Sequence, residues 1–157
     1  MKLFQSTVEL PCGKREVFDF VSQPQNLIDL LMPANVKHVD YEVPPRLEVG
    51  SQMRVSFKQF GMHIEIVHEV IEMLQTERIL LHQMKGPFRR WVHEFSFEAT
   101  SAETTNLGEK VQFEGPRGML GFVITDHKIM DALKTYSTRA HAMLRDHFGK
   151  PERTTVN

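Results

Sequence analysis

The 157-residue sequence contains a single cysteine, Cys12, so no disulfide can form within the chain. Long hydrophobic runs are also missing. No stretch reaches the roughly 18 consecutive apolar residues of a membrane-spanning helix, and no stable membrane insertion is expected. Charge of one sign is not in excess: 19 Lys and Arg face 20 Asp and Glu, for a formal net charge of -1. That balance gives no support to a nucleic-acid partner. The first ten residues, MKLFQSTVEL, alternate as a strand does and lack the long apolar region of a signal peptide. From these absences a cytoplasmic location is expected.

Several chemistries lack their spacing as well. There is no HxH, HExxH or CxxC, so neither a metal nor a cofactor is expected. No serine sits in a GxSxG context. GPRGMLG at 115–121 lacks the Lys-Ser/Thr ending of a phosphate loop, and its Gly and Pro account for a turn. Cys12 lies between Pro11 and Gly13 with no base beside it in sequence.

What is present suits one domain with a sizeable core, expected over 1–149, with a frayed tail at 150–157. Hydrophobic residues make up 41% and charged residues 25%. Nine Met and eleven Phe are many for this length, and Met fills irregular space and adapts to ligands of varied shape.

Periodicity orders the elements. Residues 3–10 alternate as a strand. Residues 14–23 place Val17, Phe18 and Val21 on one helical face and stop at Pro24, and 25–32 form a second short helix stopped by Pro33. Strands are then predicted over 36–43, 52–60, 62–72, 78–84, 88–99 and 110–115, with 100–109 as a polar hairpin loop. Ile129, Leu133, Tyr136, Ala140, Met143 and His147 recur at spacings of four and three, the face of a long helix capped by Thr125 or Asp126 and ended by Gly149 and Pro151.

GPFRRWVHEFSF, residues 86–97, carries the most information. From Trp91 every second residue is apolar or aromatic except one imidazole: Trp91, His93, Phe95, Phe97. An α+β chain of one strand, two short helices, six antiparallel strands and one long helix can wrap a curved sheet around that helix. Curved sheet and straight helix fit poorly along their whole length, so a cavity forms between them unless side chains fill it. The expected wall is Met53, Val55, Phe57, Ile66, His68, Leu81, Trp91, His93, Phe95 and Phe113 on the strands, with Leu133, Tyr136, Arg139, Ala140 and Met143 on the helix.

The sequence resembles the START and Bet v 1-like superfamily, also called SRPBCC, and within it the bacterial ligand-binding proteins grouped with polyketide cyclases and dehydratases. The resemblance rests on Gly86, Pro87, Phe88, Trp91, His93 and Phe95, on GPRGMLG, and on Leu133, Tyr136, Arg139 and Met143, and it covers nearly the whole chain. Leu81 stands where that group often has an acidic residue. The resemblance implies a helix-grip fold: a seven-stranded antiparallel sheet around a long C-terminal helix. It also implies a hydrophobic small-molecule ligand, such as a lipid, polyketide-like aromatic, isoprenoid or quinone.

Three functions follow from these residues. A binding protein would bury the ligand, with His93, Tyr136 and Arg139 fixing its orientation and the loops at 44–51, 86–88 and 115–121 as gates. A cyclase- or dehydratase-like enzyme would use His93 or His68 as general base and Tyr136 to polarise a carbonyl, with His93 and Tyr136 facing each other across open space. No acidic partner for either histidine is evident in the sequence. An interaction module would have its cavity filled by Phe and Met and an exposed apolar patch instead. The sequence leaves monomer and homodimer both open.

Overall fold

The computed structural model describes residues 1–33, 36–59 and 61–149. Element order is β1 (Lys2–Leu10), α1 (Lys14–Val21), α2 (Pro24–Leu31), β2 (Lys37–Glu42), β3 (Gln52–Gln59), β4 (Met62–Leu74), β5 (Arg78–Lys85), β6 (Arg90–Ser101), β7 (Thr104–Glu114), α3 (Met119–Val123) and α4 (Asp126–Phe148). The seven strands form one sheet in the order β1-β7-β6-β5-β4-β3-β2, every neighbouring pair antiparallel. Only β1 is out of chain order, carried by α1 and α2 to the far side of β7.

Alternation builds the concave face. On β6, His93, Phe95 and Phe97 are buried while Glu94 and Ser96 are partly exposed; on β7, Thr105, Leu107, Glu109, Val111 and Phe113 point inward. Register shifts between β4 and β5, at Val67/His68 and at Val70/Glu72, mark bulges, which bend strands and help a sheet to curl.

The helices close the concave side. Pro24 stands in the first turn of α2, where a missing N–H costs nothing, rather than merely ending α1. Thr125 caps α4 by accepting the Lys128 amide at 3.3 Å. Gly149, with φ of 91°, ends it by donating its N–H to the Arg145 carbonyl. The buried stripe of α4 is Ile129, Leu133, Tyr136, Ser137, Ala140 and Leu144. Leu144 thus replaces the expected Met143, which is half-buried, while His147 is exposed and stacks on Phe20. Alternating spacings of four and three average 3.5 residues per turn. A straight helix turns every 3.6, so over several turns the buried face drifts by about one position.

The largest difference from the sequence reading is β7. It begins at Thr104 and pairs back to Ser101, so 100–109 is a tight hairpin followed by strand. Glu109 therefore sits within the sheet on its inward face, opposite Phe95 on β6 and Ser6 on β1. The expected tail at 150–157 lies outside the described residues.

Candidate ligand-binding cavity

Between the concave face and the first half of α4 lies an open space of about 80 Å³. On a scale where one water needs about 10–15 Å³, that is room for several waters or a small ring. Its inner wall is Val55, Phe57, Ile66, His68, His93, Ile129, Leu133 and Tyr136, all buried. Its rim is Leu31, Pro33, Gln59, Phe88, Trp91 and Ala132, all partly exposed. The mouth therefore lies between the end of α2, the end of β3 and the 86–88 loop.

That loop is pinned from below. Gln83 donates its side-chain amide to the Phe88 carbonyl at 2.8 Å. Gly86 makes room for it: a Cβ there would stand 2.2 Å from Gln83 Oε1. Phe88 then tilts against Trp91, with ring centroids 4.6 Å apart, and Trp91 against Phe113 at 5.8 Å.

The Trp-His-Phe-Phe face divides its work. Trp91 and His93 line the cavity. Phe95 stacks under the His93 imidazole at 4.5 Å, and Phe97 packs edge-on against Phe18 of α1 at 5.1 Å. Met53, Leu81, Phe113 and Ala140 are fully buried in the core and Met143 is half-buried, but none of these, nor Phe95, lines the space.

Arg139 is placed elsewhere than expected. One guanidinium nitrogen donates to the carbonyls of Asp29 (2.8 Å), Leu30 (3.2 Å) and Met32. Those groups end α2 and lack partners within it, so Arg139 ties α4 to the α2 C-terminus instead of facing a ligand head group.

Glu109 is the polar centre beside the cavity. His93 Nε2 lies 2.9 Å from Glu109 Oε2, and Tyr136 donates its hydroxyl to the same oxygen at 2.7 Å. Both side chains of the His–Glu pair are almost fully buried. A buried carboxylate is tolerable only with such partners. Burial, followed by the nearby carboxylate, pushes the Tyr136 hydroxyl pKa well above the usual value of 10. His93 and Tyr136 thus converge on a carboxylate, their rings edge-to-face at 6.0 Å, rather than facing each other across open space.

His68 is different. It is 5% exposed and lines the cavity, and among the described residues its Nδ1 has no hydrogen-bond partner. Burial, reinforced by His93 and His82, holds its pKa down at about 3, so the imidazole is neutral. The outward face of β4 is tied up on the surface: Glu65 pairs with Lys85, Glu69 accepts from Gln52, and His63 lies 2.9 Å from Ser56 Oγ. Among the described residues no group of three His, Cys, Asp or Glu is placed to hold a metal ion.

No protein-family model matches the sequence, and no curated protein is similar to it. Solved structures are similar over nearly the whole chain. A START superfamily protein from Mycobacterium smegmatis superposes with a TM-score of 0.67 at 14% identity, over 92% of this chain and 98% of that one. This is the helix-grip fold of the START and Bet v 1-like proteins. The ginseng major latex-like protein 151 from Panax ginseng shares it, with a TM-score of 0.60, 14% identity and coverage of 90% and 96%. So does the protein XoxI from Bacillus cereus, at 0.68, 12%, 94% and 96%.

Within the helix grip, sequence reasoning missed Glu109, the wall residue Ile129 and the rim residues Leu31, Pro33, Gln59 and Ala132, while Phe88 lies in the 86–88 loop expected as a gate. Thr105, Leu107, Glu109, Val111 and Phe113 do alternate. The signal was hidden because two of these five are polar and sit in the Thr-, Glu- and Gly-rich stretch that looks like a loop. The rim comes from elements distant in sequence, and no local pattern brings them together.

Proposed function

We propose that the chain binds a hydrophobic small molecule in the cavity between the sheet and α4. The observation that carries this reading is an open space walled by apolar side chains and reaching the surface at a half-exposed rim. A ligand ring burying about 200 Å² of apolar surface there gains roughly 5 kcal/mol before ordering costs. Lipids, isoprenoids, quinones and polyketide-like aromatics all offer such a group, and the 86–88 loop would admit the larger ones by moving Phe88. One exposed apolar feature, Met119 and Phe122 on α3 at 87% and 85% exposure, is what an interaction module would need. The open cavity favours ligand binding over that reading.

Trp91 is the only tryptophan and stands at the mouth, so its fluorescence reports occupancy. Native mass spectrometry of the purified protein followed by solvent extraction identifies any co-purified ligand. A stoichiometric apolar compound whose removal alters Trp91 emission supports the reading. An empty protein that binds none of a panel of neutral apolar probes rejects it.

Acid–base catalysis is a second reading, supported by Glu109 standing 2.9 Å from His93 Nε2, the orienting partner that a histidine base requires. It would make the chain a cyclase- or dehydratase-like enzyme with His93 as the base. Tyr136 would not polarise a carbonyl in that scheme, because its proton is already donated to Glu109. Unchanged turnover of an identified substrate in His93→Phe and Glu109→Gln would exclude it.

A further inference from the structure

The polar groups around the cavity differ in whether their bonds are already made. His93 Nε2 and the Tyr136 hydroxyl converge on Glu109. Gln83 Nε2 and one guanidinium nitrogen of Arg139 donate to backbone carbonyls, and neither residue lines the space. Of the buried side-chain polar atoms without a partner among the described residues, which include Gln83 Oε1, Glu109 Oε1 and Arg139 Nε, only His68 Nδ1 belongs to a residue that lines the space. An unsatisfied buried group of this kind costs free energy, and a ligand that satisfies it recovers that cost on binding.

Charge around the space is equally informative. Among the described residues that line it there is no Lys or Arg. Behind His93 stands the Glu109 carboxylate, whose Oε1 is itself buried and without a partner. A ligand carboxylate would lose its hydration, meet no cation, and be repelled by Glu109. A hydroxyl has no such penalty. It both donates and accepts, so it bonds Nδ1 in either tautomer of the imidazole.

We infer that the ligand is an uncharged amphiphile carrying a hydroxyl that hydrogen-bonds His68 Nδ1, and that free fatty acids and other carboxylates are rejected. This rests on the cavity-binding reading above and narrows it to one ligand class. The neutral state of His68 agrees with it, since an imidazolium would favour an anion.

The test uses the intact chain and three ligands with the same alkyl tail: decan-1-ol, decanoate and decylammonium. Each is titrated near neutral pH against a bound neutral apolar fluorophore, with Trp91 emission as a second readout. The alcohol should bind about tenfold or more tighter than either charged ligand. His68→Leu should weaken alcohol binding about fivefold more than it changes binding of the neutral fluorophore, and His68→Asn, which keeps a polar group near the position of Nδ1, should restore much of the loss. Decanoate or decylammonium binding as tightly as the alcohol overturns the inference, as does unchanged alcohol affinity in His68→Leu. Should His68→Leu not fold, the comparison of the three ligands on the native protein still decides. Failure of the fluorophore and of all three ligands to bind rejects the cavity reading itself, a different outcome from loss of selectivity.

Discussion

His68 makes the stability of this protein depend on pH over a defined window. Its pKa is about 3 in the folded chain against 6.5 for the ordinary imidazole. Above pH 6.5 neither state holds the extra proton, and the group adds no pH dependence. Below it the unfolded chain takes up the proton and the folded chain does not, so stability falls as pH drops from 6.5 towards 3. Each tenfold difference in proton affinity is worth about 1.4 kcal/mol. At about pH 4.5 the unfolded imidazole has been protonated through roughly two factors of ten and the folded one scarcely at all, which amounts to about 3 kcal/mol. Against a typical total of about 5–15 kcal/mol that loss is easily measured. His68→Leu removes this contribution and leaves all other titrations in place. It also removes the orphaned Nδ1, so at neutral pH the variant should be no less stable than the native chain. The assay is urea denaturation, followed by far-ultraviolet circular dichroism and Trp91 fluorescence, at near-neutral pH and at about pH 4.5. The native chain should lose about 3 kcal/mol more than His68→Leu, a midpoint difference on the order of 1–2 M urea. Parallel losses in the two proteins would refute the claim that His68 is buried, neutral and unpartnered.

Other perturbations have equally definite outcomes. Tyr136→Phe removes a hydrogen bond to a buried carboxylate and should cost about 2 kcal/mol in urea denaturation, with a smaller cost when Glu109 is already Gln, because the two changes share one interaction. Arg139→Met keeps most of the aliphatic stem but leaves the Asp29, Leu30 and Met32 carbonyls without their donor. Hydrogen exchange should accelerate across the last turn of α2, and stability should fall by about 2 kcal/mol. Ala132→Trp places a large side chain at the half-exposed rim. Ligand affinity should drop at least about tenfold in fluorophore titrations while stability changes by less than about 1 kcal/mol.

Much of the architecture was readable because most elements obey one period. In β3, β4 and β6 apolar residues recur every second position, and in α4 every third or fourth, so the strands, the long helix and the face each buries follow directly. Pro24 and Gly149 mark helix ends for reasons of local backbone chemistry. That Trp91 and His93 share a face with Phe95 and Phe97 is a property of extended backbone alone. Which of them meets open space is not, since Phe95 and Phe97 are covered by His93 and α1.

The sequence by itself determined the α+β order of elements, the concave apolar face and the helix that covers it, because hydrophobic periodicity is a local signal that survives without knowledge of neighbours. Only the tertiary structure decided what the polar side chains do. Glu109 looks like loop until β7 pairs with β1 and β6, and it becomes tolerable in the interior only once His93 and Tyr136 reach it from β6 and α4. Arg139 looks like a ligand contact until the end of α2 arrives beneath it. His68 looks like any other strand histidine until the fold buries it in the cavity wall with an Nδ1 that, among the described residues, has no partner. Hydrogen bonds are short-ranged and directional, so their partners are set by the three-dimensional meeting of distant segments, which no spacing along the chain encodes.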